Sequence, residues 1–216
     1  MNSSVKIIGF DLDQTLYPKS PEIDEAIQEY IYTRISAQHG CSIDESRKMF
    51  YLHYPASSGS KTLELLGVPN ARDVVQEALE RADIARFLQP SPQIVQLLND
   101  IRTKYGSVSL LTGSDRPIAE KKLRALHIPL ELFDLTLFGT PSKSTGEAYV
   151  EWLNYFKQKN KELQPNQFLY IGDRYSSDVE APQKLGIQTW LVNNPPGKYP
   201  GIQTYSDLLS IRADLL

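Results

Sequence analysis

Apolar, largely β-branched residues open the chain over Val5-Lys6-Ile7-Ile8-Gly9-Phe10, the pattern of a strand buried on both faces. From Pro21 the period changes. Ile23, Ile27, Tyr30, Ile31 and Ile35 recur at helical spacing, with Glu22, Asp24, Glu25, Gln28 and Glu29 on the other face, and Gly40 stops the helix. Ser42-Ile43-Asp44-Glu45 has the form of a capping box and starts a second helix toward Tyr51. His53 to Ser60 has the composition of a loop. A short helix is predicted around Thr62 to Leu66, closed by Gly67, and Asn70-Ala71-Arg72-Asp73 opens another through Val74, Val75, Ala78 and Leu79. No strand is predicted between Pro18 and Phe87, so this stretch reads as an all-helical insertion that closes at Gln89-Pro90-Ser91-Pro92.

Beyond that boundary strands and helices alternate. Ile94, Leu97, Leu98 and Ile101 form a helical stripe behind Ser91 as N-cap and Pro92 in the first turn. Ser107–Leu111 reads as a buried strand, followed by a helix to about His127. Phe133–Phe138 reads as a third strand. Gly146 to Lys159 is predicted helical, with Tyr149, Val150, Leu153 and Phe156 inward. Phe168–Ile171 and Thr189–Val192 complete five strands, with a loop over Gly172–Asp178 and one closing helix over Tyr205–Leu216. This alternation predicts an α/β fold with a mostly parallel sheet covered on both faces. The expected division is 1–19 with 89–216 as the α/β domain, and 20–88 as the helical insertion.

Composition narrows the function classes. The 216 residues are 41% hydrophobic and 23% charged, the profile of a globular chain. A net charge of -3 offers no basic footprint for a nucleic-acid polymer. Met1-Asn2-Ser3-Ser4 lacks the features of a leader, and no run approaches membrane-spanning length. The lone Cys41 has no internal partner, which points to a reducing cytoplasm. His39, His53 and His127 are scattered and give no zinc pattern.

The chemistry-bearing residues gather at strand ends. Asp11 and Asp13 follow the first strand directly, where ligands bind in an open parallel sheet. Two acids one residue apart repel unless a cation neutralises them, and Mg2+ suits an all-oxygen site that keeps waters and substrate phosphate. Thr112, in Leu110-Leu111-Thr112-Gly113-Ser114, offers a hydroxyl at the second strand's end. Lys143 supplies a cation in Pro141-Ser142-Lys143. Gly172-Asp173-Arg174-Tyr175-Ser176-Ser177-Asp178 brings two more acids after the fourth strand. Taken singly, Thr112 is a loop hydroxyl and Lys143 a solvated lysine, as Lys121 and Lys122 are read. Four such features in one register point to a phosphoryl-transfer site.

In order and spacing these motifs, D-x-D-x-T, the Thr112 stretch, Lys143 and G-D-x4-D, resemble those of the haloacid dehalogenase superfamily of phosphohydrolases. Lys143 is followed by Ser144 where the family often has proline, and Ser177 stands where many relatives have asparagine. The resemblance implies a Rossmann-like core with an inserted helical, type-one cap. It implies Asp11 as nucleophile, Asp13 as general acid and base, and Thr112 and Lys143 as stabilisers of the phosphoryl oxygens. Mg2+ would be held by the Asp11 and Asp173 carboxylates and the Asp13 backbone carbonyl, with Asp178 completing the site by orienting metal-bound water or Lys143. Asp13 also separates phosphatases from dehalogenase relatives, which lack it.

Tyr17-Pro18 and Gly172-Asp173-Arg174-Tyr175 most resemble the pyrimidine 5′-nucleotidase-like branch. The expected substrate is therefore a small phosphate monoester, a nucleotide in preference, with Tyr54, Ser58 and Lys61 in the insertion and Gly113 in the core as binding residues. Two alternatives stay open: a sugar-phosphate phosphatase or phosphomutase on the same core, and a binding protein without turnover.

Overall fold

The computed structural model describes residues 5–18, 20–54, 58–139 and 142–216. Met1-Asn2-Ser3-Ser4, Pro55, Ala56 and Ser57 of the predicted loop, and Pro141 of the third motif lie outside the described residues. The chain divides into two compact units, one over Ser20–Phe87 and the other formed by the chain on either side.

The first strand, β1 (Ile7–Phe10), is buried at every position. The helical unit follows with α1 (Pro21–His39), α2 (Ile43–Tyr51), α3 (Gly59–Leu65) and α4 (Ala71–Arg81). Ser20 accepts from the Ile23 amide at the start of α1. At α2 the predicted capping box is reciprocal. The Ser42 amide donates to Glu45 Oε2 at 2.8 Å, and the Glu45 amide to Ser42 Oγ at 3.3 Å. Ile31, Ile35, Phe50, Leu63 and Val74 form this unit's own core. Gln28, assigned by pattern to the solvated face of α1, is buried instead. Its Oε1 accepts from the Tyr32 and Tyr51 hydroxyls, each at 2.7 Å, which satisfies the amide oxygen without water.

The second unit continues with α5 (Pro92–Tyr105), β2 (Val108–Thr112), α6 (Arg116–Ala125), β3 (Leu135–Phe138), α7 (Glu147–Lys159), β4 (Phe168–Gly172), α8 (Ala181–Gln183), β5 (Gln188–Leu191), β6 (Gln203–Thr204) and α9 (Arg212–Leu215). The strands form one parallel sheet in the order β3-β2-β1-β4-β5-β6. The architecture is the α/β fold that the strand–helix alternation predicts. With β1 central between β2 and β4, residues following all three emerge side by side at one sheet edge.

Close packing holds β1 in place. An added Cβ at Gly9 would lie 2.8 Å from Trp152 Cζ2 on α7, so glycine here leaves the room in which the indole meets the central strand. Trp152 also donates from Nε1 to Ser109 Oγ at 3.0 Å. Trp152, with Tyr149, Leu153 and Phe156, is the buried stripe of α7, whereas Val150 is 44% exposed and does not face inward as expected. Other elements also depart from expectation. Ser91 takes the N-cap position of α5 ahead of Pro92 as expected, but its hydroxyl donates to Gln93 and makes no capping bond. The loop expected before Asp178 contains a π-helical turn, Ser176–Glu180, that runs into α8. In place of one closing helix over Tyr205–Leu216 the chain forms a 3-10 turn at Leu209–Ile211 and the short α9, after a sixth strand, β6, that the pattern did not predict.

Candidate active site

Asp11 sits just beyond β1, its amide donating to the Ile171 carbonyl of β4 at 2.9 Å. This bond continues the ladder past the strand and aims the carboxylate from the middle of the sheet edge. Lys143 reaches it, Nζ to Oδ1 at 2.7 Å, and the same ammonium lies 2.9 Å from Asp178 Oδ1. A third contact runs from Lys143 to the Tyr170 hydroxyl at 3.1 Å, and that hydroxyl donates in turn to the Leu111 carbonyl at 2.8 Å. All three ammonium donors thus have acceptors inside the protein. The lysine that reads as solvated by composition is 9% exposed and joins the first motif to the fourth.

Asp178 is fully buried. Its Oδ2 accepts from the Asp173 and Arg174 amides at 3.2 and 2.9 Å, and its Oδ1 from Ser177 Oγ at 3.0 Å. The π-helical turn brings it back over the end of β4, a placement such turns often serve at functional sites. Gly172 makes room, since a Cβ there would lie 2.4 Å from Asp178 Oδ2. Asp178 thus clamps the Asp173 loop. On the far side Asn194 Nδ2 holds the Asp173 carbonyl at 2.7 Å, and Asn193 Nδ2 holds the Gln14 carbonyl at 2.6 Å. Gln14 itself is in the left-handed region at φ 55°, a turn that side chains other than glycine adopt at a cost.

Asp11, Asp173 and Asp178 each present a carboxylate oxygen, and these atoms lie within 4.8 Å of one another. A buried group of oxygen donors with a surplus of negative charge fits a hard divalent cation such as Mg2+. Asp13 contributes no carboxylate to this group, which leaves only its backbone carbonyl as the ligand expected from the sequence. Burial pushes the Asp11 carboxyl up to about 7 against the pull of Lys143. Lys143, although burial opposes its charge, is held above its ordinary range by Asp11 and Asp178. A proton and a cation compete for Asp11, so Mg2+ affinity should fall as pH drops below 7 and level off above it. Calorimetric titration of the metal-free protein between about pH 5.5 and 8 should show up to about a tenfold loss per unit on the acid side; a flat profile would refute the competition.

Asp13 has its own set of partners. Lys122 Nζ donates to its Oδ1 at 2.5 Å, and the Tyr17 hydroxyl to the same oxygen at 2.5 Å. Ser114 Oγ donates to Oδ2 at 2.7 Å, with Thr112 Oγ1 at 3.5 Å. Burial opposes the charge on Asp13, but Lys122 and these hydroxyls outweigh it and hold the carboxyl below its usual range. Lys122 is therefore not a solvated lysine. It is 2% exposed, and sequence periodicity carried the signal: Ala119, Leu123 and Leu126 are buried on the same face, at spacings of three, one and four from residue 122. Tyr17 and Ser114 also touch Asp13, although their sequence context assigned them no such part.

Of the expected binding residues, Gly113 belongs to the α/β unit and Tyr54, Ser58 and Lys61 to the helical unit. Gly113 is exposed in the turn after β2. Within the helical unit, Tyr54 stacks on Phe50 with centroids 4.9 Å apart, Ser58 caps α3, and Lys61 pairs with Glu64 at 3.1 Å. Each is engaged by a neighbour in its own unit. Among the described residues no helix is long and apolar enough to cross a membrane.

Comparison with known proteins agrees with this arrangement. The chain is 23% identical to the glyceraldehyde 3-phosphate phosphatase of Methanocaldococcus jannaschii over 94% of its length and 91% of that protein's. The enzyme of that name from Methanopyrus kandleri is 22% identical over 94% and 89%. A haloacid dehalogenase-like family hydrolase from Streptococcus pneumoniae superposes with a TM-score of 0.71 at 19% identity, covering 99% of this chain and 100% of that one. The haloacid dehalogenase-like hydrolase profile matches residues 5–186, a span that takes in every motif from Asp11 to Asp178. By that match the chain belongs to the haloacid dehalogenase-like hydrolase family.

Proposed function

We propose that the chain is a Mg2+-dependent phosphomonoesterase that works through an aspartyl phosphate on Asp11, and that its substrate is a small sugar phosphate. The observation that carries the catalytic part is the buried contact of Lys143 with both Asp11 and Asp178. A carboxylate fixed at the sheet's central edge beside one cation has the placement a phosphorus-directed nucleophile needs. Bound at Asp11, Asp173 and the Asp13 carbonyl, Mg2+ would neutralise the charge of an approaching phosphate dianion.

The chain's own residues then divide the work. Asp11 attacks phosphorus in line, forming an oxygen–phosphorus bond as the ester bond breaks. Asp13, carrying a proton taken up as the phosphate dianion binds beside it, gives that proton to the departing alkoxide and later takes one from the water that hydrolyses the aspartyl phosphate. Lys143 and the Thr112 hydroxyl stabilise charge on the transferring oxygens. Asp178 orients Lys143 and the Asp173 loop by the hydrogen bonds described above. Apart from Asp13, which meets only the leaving oxygen, these groups touch phosphate and metal and do not read the rest of the leaving group. We assign discrimination among leaving groups to residues of the helical insertion.

For the substrate, the two phosphatases similar along 94% of the chain support a sugar or triose phosphate over the nucleoside 5′-monophosphate suggested by Tyr17-Pro18. In this structure Tyr17 donates to Asp13, which accounts for that tyrosine without a nucleobase. Phosphate release should be measured across triose, pentose and hexose phosphates and nucleoside monophosphates with Mg2+. The best sugar phosphate should exceed the best nucleotide in kcat/KM by at least about tenfold, a gap of about 1.4 kcal/mol in transition-state binding. A nucleotide at the top of the ranking would reverse the substrate assignment and leave the phosphatase chemistry standing.

A further inference from the structure

Lys122 stands out because its burial does not follow from packing. Removing an ammonium from water costs several kcal/mol, and the inward face of α6 at Ala119 and Leu123 is otherwise apolar. A methionine or leucine there would serve stability as well or better. The pair is also asymmetric. The lysine side chain is 2% exposed while its partner Asp13 is 33% exposed, so the cation is sealed behind a carboxylate that is open on its other side. Ser114 Oγ, which receives a bond from Lys122 Nζ at 3.0 Å, relays a second contact to Asp13 Oδ2 at 2.7 Å. Both carboxylate oxygens are thereby gripped from α6 and the turn that precedes it.

We propose that Lys122 is a positioning residue for Asp13, which, with Ser114, fixes the carboxylate in the orientation from which it exchanges a proton with the leaving group. The inference rests on the phosphatase reading and deepens it. Lys122 touches neither nucleophile nor the carboxylates grouped for the cation; its whole effect passes through Asp13. An ammonium that only filled the core would alter all substrates alike. One that aims a proton donor must matter most where the leaving group needs a proton.

The test compares kcat/KM, which reports the step that expels the leaving group, for an alkyl ester (glycerol phosphate) and for p-nitrophenyl phosphate. Lys122→Met should lower the alkyl-to-aryl ratio by about 10- to 100-fold, a part of the roughly 10²- to 10⁴-fold that general acid catalysis supplies. Lys122→Arg should restore part of that ratio, and Lys122→Met combined with Asp13→Ala should be no worse than Asp13→Ala alone. An unchanged ratio in folded Lys122→Met, or a loss that adds to that of Asp13→Ala, would overturn the assignment. If Lys122→Met does not fold, Ser114→Ala carries the same comparison and must move the ratio in the same direction; an unmoved ratio there also overturns it. A wild-type protein that hydrolyses neither ester removes the phosphatase reading and this inference with it. Hydrolysis of both esters with a ratio indifferent to residue 122 removes the inference alone.

Discussion

Asp11→Asn should abolish turnover, with kcat falling by at least about 10⁴-fold, as losses of covalent nucleophiles do. The amide has nearly the shape of the carboxylate but cannot attack phosphorus. Its fold should survive, because the backbone bond from residue 11 to Ile171 does not involve the side chain. Lys143 keeps its contacts with Asp178 and Tyr170. Turnover and thermal unfolding measured on the same preparation separate the two effects. A folded variant within tenfold of the wild type would eliminate the aspartyl-phosphate route.

Lys143→Met should combine a catalytic loss with a structural one. Removing one charged stabiliser of the transferring oxygens costs about 10²- to 10³-fold in kcat. It also leaves Asp11 and Asp178 facing each other without the ammonium that both contact. Breaking a buried pair by deleting one partner typically costs about 3–5 kcal/mol, here offset in part when protonation discharges Asp11. Chemical denaturation of the metal-free variant should show that loss, and Mg2+ should recover more stability in the variant than in the wild type, because it replaces missing positive charge. Unaltered stability without metal would show that the contact is peripheral.

The parts of this site legible in the sequence are those where local pattern and position agree. Val5–Phe10 is apolar enough to read as a two-faced strand, so the acids after it fall at a sheet edge. Asp173 and Asp178 follow another such strand, Phe168–Gly172. Lys143 was legible only through its motif, since nothing in Ser142-Lys143-Ser144 signals burial. Lys122 was hidden by its type: charge argued for solvent while the helical period of Ala119, Leu123 and Leu126 argued for the core. The period gave the better guide because a single carboxylate across the fold was enough to compensate the charge. The π-helical turn at Ser176–Glu180 could not be read from Ser-Ser-Asp, a composition shared by loops and helix starts. β6 is only Gln203–Thr204, too short to show alternation. The nucleotide preference rested on Tyr17-Pro18, on Gly172-Asp173-Arg174-Tyr175 and on the loop before Lys61, and of these Tyr17 has its hydroxyl engaged by Asp13.

The strand order sets a timetable for synthesis. The strand bearing Asp11 leaves the ribosome first, yet its neighbours are Val108–Thr112 and Phe168–Gly172. Until both have emerged, β1 is an apolar segment with at least one open edge, a state prone to mispairing. Ser20–Phe87, by contrast, is complete in itself once its last residue is made, and its helices draw on nearby contacts that form quickly. The growing chain therefore carries the helical unit tethered to an incompletely paired nucleophile strand from Phe87 to Gly172, and the catalytic edge closes only when β4 arrives. Chaperone demand should concentrate in that interval, and a pause placed between β2 and β4 would lengthen it.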